Sequence, residues 1–173
     1  MTNPVLTAIS ERRSIRQYKP EQITEEQLQA LLCAAVEAPS ARNLQPWHFT
    51  VAQDTAVLAE VNAEATAILG REGDIFYAAP TVIFISADKA SDWGKLDSGI
   101  AVQNIALAAQ SMGLGSVILG LPAAAFKGPR ADYFAGLLKF PAAHEFAIAI
   151  AVGYPDCTKE AHPVEDGRVA YIR

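Results

Sequence analysis

Residues 81–87 read Thr-Val-Ile-Phe-Ile-Ser-Ala, an uncharged run introduced by Pro80 in which large apolar side chains occupy both parities. A strand of this kind is stable only where both of its faces are covered, since a one-sided strand would alternate apolar with polar residues. The chain must therefore place a layer on each side of a central strand. Candidates for those layers are plain. Thr24 and Gln27 have the spacing of a reciprocal capping box, and Leu28, Leu31, Leu32, Ala35 and Val36 follow at helical spacing until Pro39 ends the element. Residues 48–52 read as a short strand and 55–69 as an alanine-rich helix. Over 96–112, Ile100, Val102, Ile105, Leu107 and the alanines between them leave hardly any polar face, the pattern of a helix buried all round. Residues 116–119 read as a short strand or extended edge, 122–140 as short helices broken by Gly128 and Pro129, and 145–153 as a strand whose Ala147, Ala149 and Ala151 make one face small. A last short strand is expected at 169–172. With no repeat, low-complexity tract or linker, residues 1–173 form one domain. Alternating helices and strands indicate an α/β sandwich, with a parallel or a mixed sheet both open.

Composition narrows the function classes. Of 173 residues 51% are apolar and 19% charged, and the apolar share includes 32 alanines. That surplus has three possible sinks: core, ligand pocket or subunit interface. A net charge of -5 weighs against a nucleic-acid scaffold, which needs a broad basic face. No apolar run approaches the roughly 18 residues of a membrane span, and the first eleven residues lack a secretory pattern, so a cytoplasmic location is expected. Cys33 and Cys157 lie far apart without CxxC spacing, and three histidines do not compensate, so neither a disulfide framework nor a metal site is supported. Cys33 falls in an apolar helical stripe and is expected to be a small buried hydrophobe.

Three segments could carry chemistry. Glu11-Arg12-Arg13-Ser14-Ile15-Arg16-Gln17-Tyr18-Lys19 concentrates four cations and a hydroxyl in an acidic chain. Solvated surface charge is one reading. The other is an anion site, because guanidinium forks and a hydroxyl match phosphate, and in an extended stretch Arg12, Ser14 and Arg16 point the same way. Pro39-Ser40-Ala41-Arg42-Asn43-Leu44-Gln45-Pro46-Trp47-His48 is either a rigid connection or a loop whose Asn43 and Gln45 amides present donors and acceptors to a planar heterocycle. His48, between two aromatics, reads as a packed strand residue rather than a base. Asp97-Ser98-Gly99 opens the apolar helix and Gly113-Leu114-Gly115 closes it, which is ordinary helix punctuation. GxGxxG, GxxxxGK[ST] and GxSxG are all absent, so a Rossmann fingerprint, a P-loop and a hydrolase elbow are excluded.

Taken in this order, RRSIR, PSARNLQPWHF, the DSG-to-GLG helix and the strand ending Gly153-Tyr154-Pro155 resemble the nitroreductase family of flavin enzymes over nearly the whole chain. The resemblance implies an α+β fold, a nitroreductase-like α/β/α sandwich with a mixed, largely antiparallel sheet. It also implies a homodimer with FMN at the interface and a C-terminal segment exchanged between subunits. By position, Arg12 and Ser14 would hold the FMN phosphate or ribityl chain, Arg13 would add ribityl or backbone contacts, and Arg16 would sit at the N1 and C2 carbonyl edge. Pro39, Ser40, Ala41, Asn43 and Gln45 would reach the ring from the partner, and Ile118, Leu119 and Gly120 would line its other side. Ala41 stands where many relatives carry a second serine. Lys159 is the leading candidate to complete the phosphate site, ahead of Arg168 and Arg173, and His162 stands near a position that is often basic. Residues 71–77 are the candidate lid, with Phe76 or Tyr77 stacking on flavin or substrate or else lying in the core. The implied activity is two-electron transfer from NADH or NADPH through FMN to a nitroaromatic, quinone or similar acceptor, with no catalytic side chain. A flavin-binding sensor or carrier without turnover, and another flavin chemistry such as dehalogenation, are the alternatives.

Overall fold

The computed structural model describes residues 3–161 and 166–173. Strand β1 (Trp47–Ala52), β2 (Thr81–Asp88), β3 (Gly115–Leu119) and β4 (His144–Gly153) form one sheet in the order β1-β2-β4-β3, and every neighbouring pair is antiparallel. The one isolated parallel bridge among the described residues joins Ser14 to Ser116. Around the sheet lie α1 (Pro4–Glu11), α2 (Glu25–Val36), α3 (Thr55–Leu69), α4 (Gly94–Ser111) and α5 (Ala131–Leu137). The α+β sandwich and the largely antiparallel sheet that the family resemblance implies are present, and the parallel sheet that the residue pattern left open is not.

β2 is interior in both directions. Thr81 to Ala87 are all buried. Val82 and Phe84 point into a core shared with α3 and the segment around α5, while Ile83 and Ile85 point into a second core shared with α2 and α4. Period-two geometry thus sends alternate side chains of one apolar run into two cores. The α2 capping box is realised, with Gln27 N–H donating to Thr24 Oγ1 at 3.2 Å and Thr24 N–H to Gln27 Oε1 at 2.9 Å.

Four features differ from the sequence reading. α1 is not predicted by hydrophobic pattern, since an eight-residue helix shows little periodicity, yet Asn3 caps it by accepting from Val5 and Leu6 N–H, and Pro4 occupies its first turn. It buries no residue and exposes Val5, Leu6 and Ile9. α4 is not covered all round, since Trp93, Leu96 and Ile100 form an exposed stripe opposite the buried Ala101, Val102, Ile105 and Ala109. Cys33 is exposed, because the buried face of α2 is Leu28, Leu31 and Ala35 and Cys33 falls outside it. Residues 169–172 form no strand, and Val169, Tyr171 and Ile172 are exposed. No helix among the described residues is long and apolar enough to cross a membrane.

The end of β4 is where chain segments crowd. A Cβ on Gly153 would sit 2.8 Å from Pro80 Cδ and 3.0 Å from Tyr18 Cδ1. Both are ring atoms that cannot swing aside, so Gly153→Ala is expected to destabilise the fold by about 1–3 kcal/mol, read as a lower denaturant midpoint.

Candidate functional site

The basic segment is tied into the sheet rather than loose on the surface. After α1, Ile15 N–H donates to Ser116 O at 2.9 Å, extending the β3 edge, and the buried Ile15 side chain packs where Gly115 has no Cβ. Tyr18 bridges Pro155, and its hydroxyl donates to Ile15 O at 2.8 Å. Burial holds the Tyr18 phenol well above its usual range, while the Arg16 cation works against that shift. Ile15 points inward, so its neighbours Ser14 and Arg16 face the other way, as the extended reading requires.

The three arginines then diverge. Arg13 folds back, its Nη1 donating to Ser10 O at 2.6 Å and Arg12 O at 2.8 Å, while its buried Nε takes no hydrogen-bond partner among the described residues. The Arg12 guanidinium and the Ser14 hydroxyl take no partner among the described residues. Arg16 makes one long hydrogen bond to Ser14 O, 3.4 Å, and lies 5.7 Å over the Tyr77 ring. Two cations and a hydroxyl are thus presented along one side of an extended segment with their hydrogen-bonding capacity unspent, which suits a phosphate monoester.

β3 brings Ile118, Leu119 and Gly120 into the same neighbourhood, two to four residues beyond Ser116. Ile118 is exposed and a Cβ on Gly120 would meet nothing, but the Leu119 side chain is buried in the core, leaving only its backbone to face a ligand. Past the Tyr18–Pro155 bridge the chain turns back antiparallel to residues 17–18, with Asp156 N–H donating to Gln17 O at 3.0 Å. Lys159 lies exposed on that return. Arg168 and Arg173 belong to the exposed tail, and His162 lies outside the described residues.

The amide loop is a separate construction. Arg42, Asn43 and Gln45 have φ of 54°, 56° and 48°, left-handed backbone that costs of order 1–3 kcal/mol at each non-glycine position. Two devices hold it. Gln45 N–H donates to Ser40 Oγ at 3.0 Å, and Ala41 N–H donates to both carboxylate oxygens of Asp97 at 3.2 Å. Gln45 Nε2 donates to Asn43 Oδ1 at 3.1 Å, which leaves Asn43 Nδ2 and Gln45 Oε1 as an outward donor and acceptor. Pro39, Asn43 and Gln45 are exposed, whereas Ala41 has committed its N–H to Asp97 and cannot offer it to a ligand.

These two constructions lie at opposite ends of α4. Asp97, in its first turn, holds the amide loop, while Gly115 and Ser116, just beyond its C-terminus, hold the basic segment. The helix between Asp97 and Ser111 is about 21 Å long. A cleft of about 450 Å³ between Gln22, Gln53, Asn62, Asp74 and Phe76 is lined by none of the thirteen residues expected at the site. His48 is a packed strand residue, edge-on to His144 with ring centres 6.3 Å apart. Phe76 is buried against Phe84, and Tyr77 alone of that pair faces the site, under Arg16.

Comparison with known proteins places this arrangement. The sequence profile of the nitroreductase family matches residues 9–154. The chain belongs to that family. A nitroreductase of Desulfitobacterium hafniense, solved with bound FMN, superposes with a TM-score of 0.93 at 33% identity, covering 100% of both chains. An Archaeoglobus fulgidus protein provisionally named NADH dehydrogenase/NAD(P)H nitroreductase is 35% identical over 93% of this chain and 91% of its own. The NADPH-flavin oxidoreductase of Vibrio harveyi is 31% identical over 94% of this chain and 70% of its own.

Within this nitroreductase fold, two residues carry more than the sequence revealed. The only signal for Asp97 was its place at a helix start, which has a local explanation; that its carboxylate reaches 56 positions back to Ala41 is a tertiary fact. Tyr77 gave only an aromatic of open assignment. Asp97 is 3% exposed, so Asp97→Ala leaves the Ala41 amide without its acceptor and is expected to cost about 1–3 kcal/mol. Hydrogen exchange at the Ala41 amide should accelerate, while Asp97→Asn, which keeps one acceptor oxygen, should retain much of the protection.

Proposed function

We propose that this chain is an FMN-dependent oxidoreductase that passes two electrons from NADH or NADPH to a nitroaromatic, quinone or similar electron-poor acceptor, and that it works as a homodimer. One observation carries the reading: unspent phosphate donors stand at one end of α4 and an amide-bearing loop at the other, each incomplete alone. Copies related by a two-fold axis would bring the loop of one chain to the basic segment of its partner. The exposed apolar residues of α1 and α4, together with Val169, Tyr171 and Ile172, supply surface that such a pairing would cover, the tail by exchange onto the partner.

The donor set fits FMN. Arg12 and Ser14 hold the phosphate, with Lys159 completing the charge, and Arg13 contributes backbone or ribityl contacts. Arg16 presents a cation to the pyrimidine edge of the ring. Gly120 and Ile118 leave room for a flat ring at the end of β3, which Asn43 and Gln45 of the partner subunit hydrogen-bond, beside its Pro39, Ser40 and Ala41. FMN, when bound, supplies the hydride and electron chemistry, so the protein's part is placement and electrostatics.

Reconstituted protein is expected to be yellow, to retain FMN and to oxidise NAD(P)H only with flavin bound and an acceptor present; a colourless protein would overturn the reading. Arg12→Ala removes a charge-assisted contact and should weaken FMN binding about tenfold or more, measured by quenching of flavin fluorescence. Size-exclusion chromatography should give a dimer, and a stable FMN-loaded monomer would remove the shared site.

A further inference from the structure

Residues 74–78 form a turn of unusual cost. Tyr77 and Ala78 have φ of 59° and 53°, two consecutive non-glycine residues in the left-handed region. The turn persists because Asp74 gathers its amides: Phe76 N–H donates to Oδ1 at 2.8 Å and Ala78 N–H to Oδ2 at 2.6 Å. Ile75 and Phe76 are sunk in the core, and Ile75 N–H is fixed by Asn62 Oδ1 at 2.9 Å. The Tyr77 ring therefore has little freedom to retract. Strained backbone clamped in this way is a common mark of a side chain whose direction matters.

What the ring touches is Arg16, whose guanidinium carbon stands 5.7 Å from the ring centre. Arg16 is otherwise nearly free: among the described residues it has no carboxylate partner, and its one hydrogen bond there is the 3.4 Å contact to Ser14 O. A long side chain held so weakly would spread over many rotamers, at a cost of about 2 kcal/mol when it is later fixed. A cation over an aromatic face gains about 0.5–1 kcal/mol when exposed and more when desolvated. The ring thus narrows the positions open to this cation before any ligand arrives.

We infer that Tyr77 is a positioning residue for Arg16: its clamped ring holds the guanidinium where a reduced flavin gathers negative charge, and so raises the reduction potential of the bound cofactor. This rests on the FMN reading above. Its consequence is specific, because a cation aimed at developing charge favours reduced over oxidised FMN and alters the affinity for oxidised FMN little.

The test is the two-electron midpoint potential of FMN bound to the dimer, measured spectroelectrochemically for wild type, Tyr77→Asn, Tyr77→Phe, Arg16→Ala and the Arg16→Ala/Tyr77→Asn double variant. Asparagine tolerates left-handed backbone, so Tyr77→Asn removes the ring without new strain. Tyr77→Asn is expected to reduce the preference for reduced FMN about tenfold, a shift of about 30 mV to more negative potential for a two-electron couple, and Tyr77→Phe to keep the wild-type value. Arg16→Ala should shift the potential in the same direction, with the double variant no lower than Arg16→Ala alone, since both changes remove one interaction. An unchanged potential in Tyr77→Asn beside a shifted one in Arg16→Ala, or additive shifts in the double variant, would overturn the inference and leave the FMN reading intact. Absence of FMN binding in the wild type would overturn both.

Discussion

Strand β2 has neither an edge nor an open face, and most of the architecture follows from covering it. β1 and β4 take its hydrogen bonds, while α2 with α4 and α3 with the segment around α5 take its two rows of side chains. Burying large β-branched and aromatic groups on both parities leaves no place for a ligand against the middle of the sheet. The candidate site lies instead at the periphery, at the end of β3 and in the loop that leads into β1. α4, packed on the sheet between them, sets how far apart they lie.

Two loops at this periphery are held by the same device. The amide loop and the Tyr77 turn contain left-handed non-glycine residues, and each is anchored by an aspartate carboxylate, Asp97 accepting from the Ala41 N–H and Asp74 from the Phe76 and Ala78 N–H groups. Asp97 does this from a neighbouring helix and Asp74 from within its own turn. Strain concentrated beside a candidate cofactor site, and offset by buried anchors, fixes side chains that would otherwise be mobile. The basic segment reaches a similar end by another route: it pairs with β3 and with the segment that follows β4, and the burial of Ile15 turns its neighbours Ser14 and Arg16 outward.

Legibility in the sequence followed the range of the interactions. The capping box of α2, the helical run of α3 and the two-faced strand β2 are written in residues within a few positions of one another, and each lies where it was read. α1 escaped because its evidence is a single cap and one turn of apolar residues that it does not bury. Cys33 lies off the buried face of α2, which Leu28, Leu31 and Ala35 form, and the exposed stripe of α4 shows that an apolar pattern does not by itself say which faces the chain covers. The motif residues were identified by type and order, yet the commitment of Arg13 to local carbonyls, the burial of Leu119 and the use of the Ala41 amide by Asp97 depend on contacts that no spacing encodes.

The sequence by itself determined the layers, the central strand, the family and the kinds of ligand groups its motifs could meet, because hydrophobic pattern and residue chemistry are local properties. Only the tertiary structure decided which cations remain unspent, which carboxylate supports which loop and how far apart the two halves of the candidate site stand. Those outcomes rest on contacts such as Asp97 to Ala41, Ile15 to Ser116 and Arg16 to Tyr77, between residues that packing alone brings together.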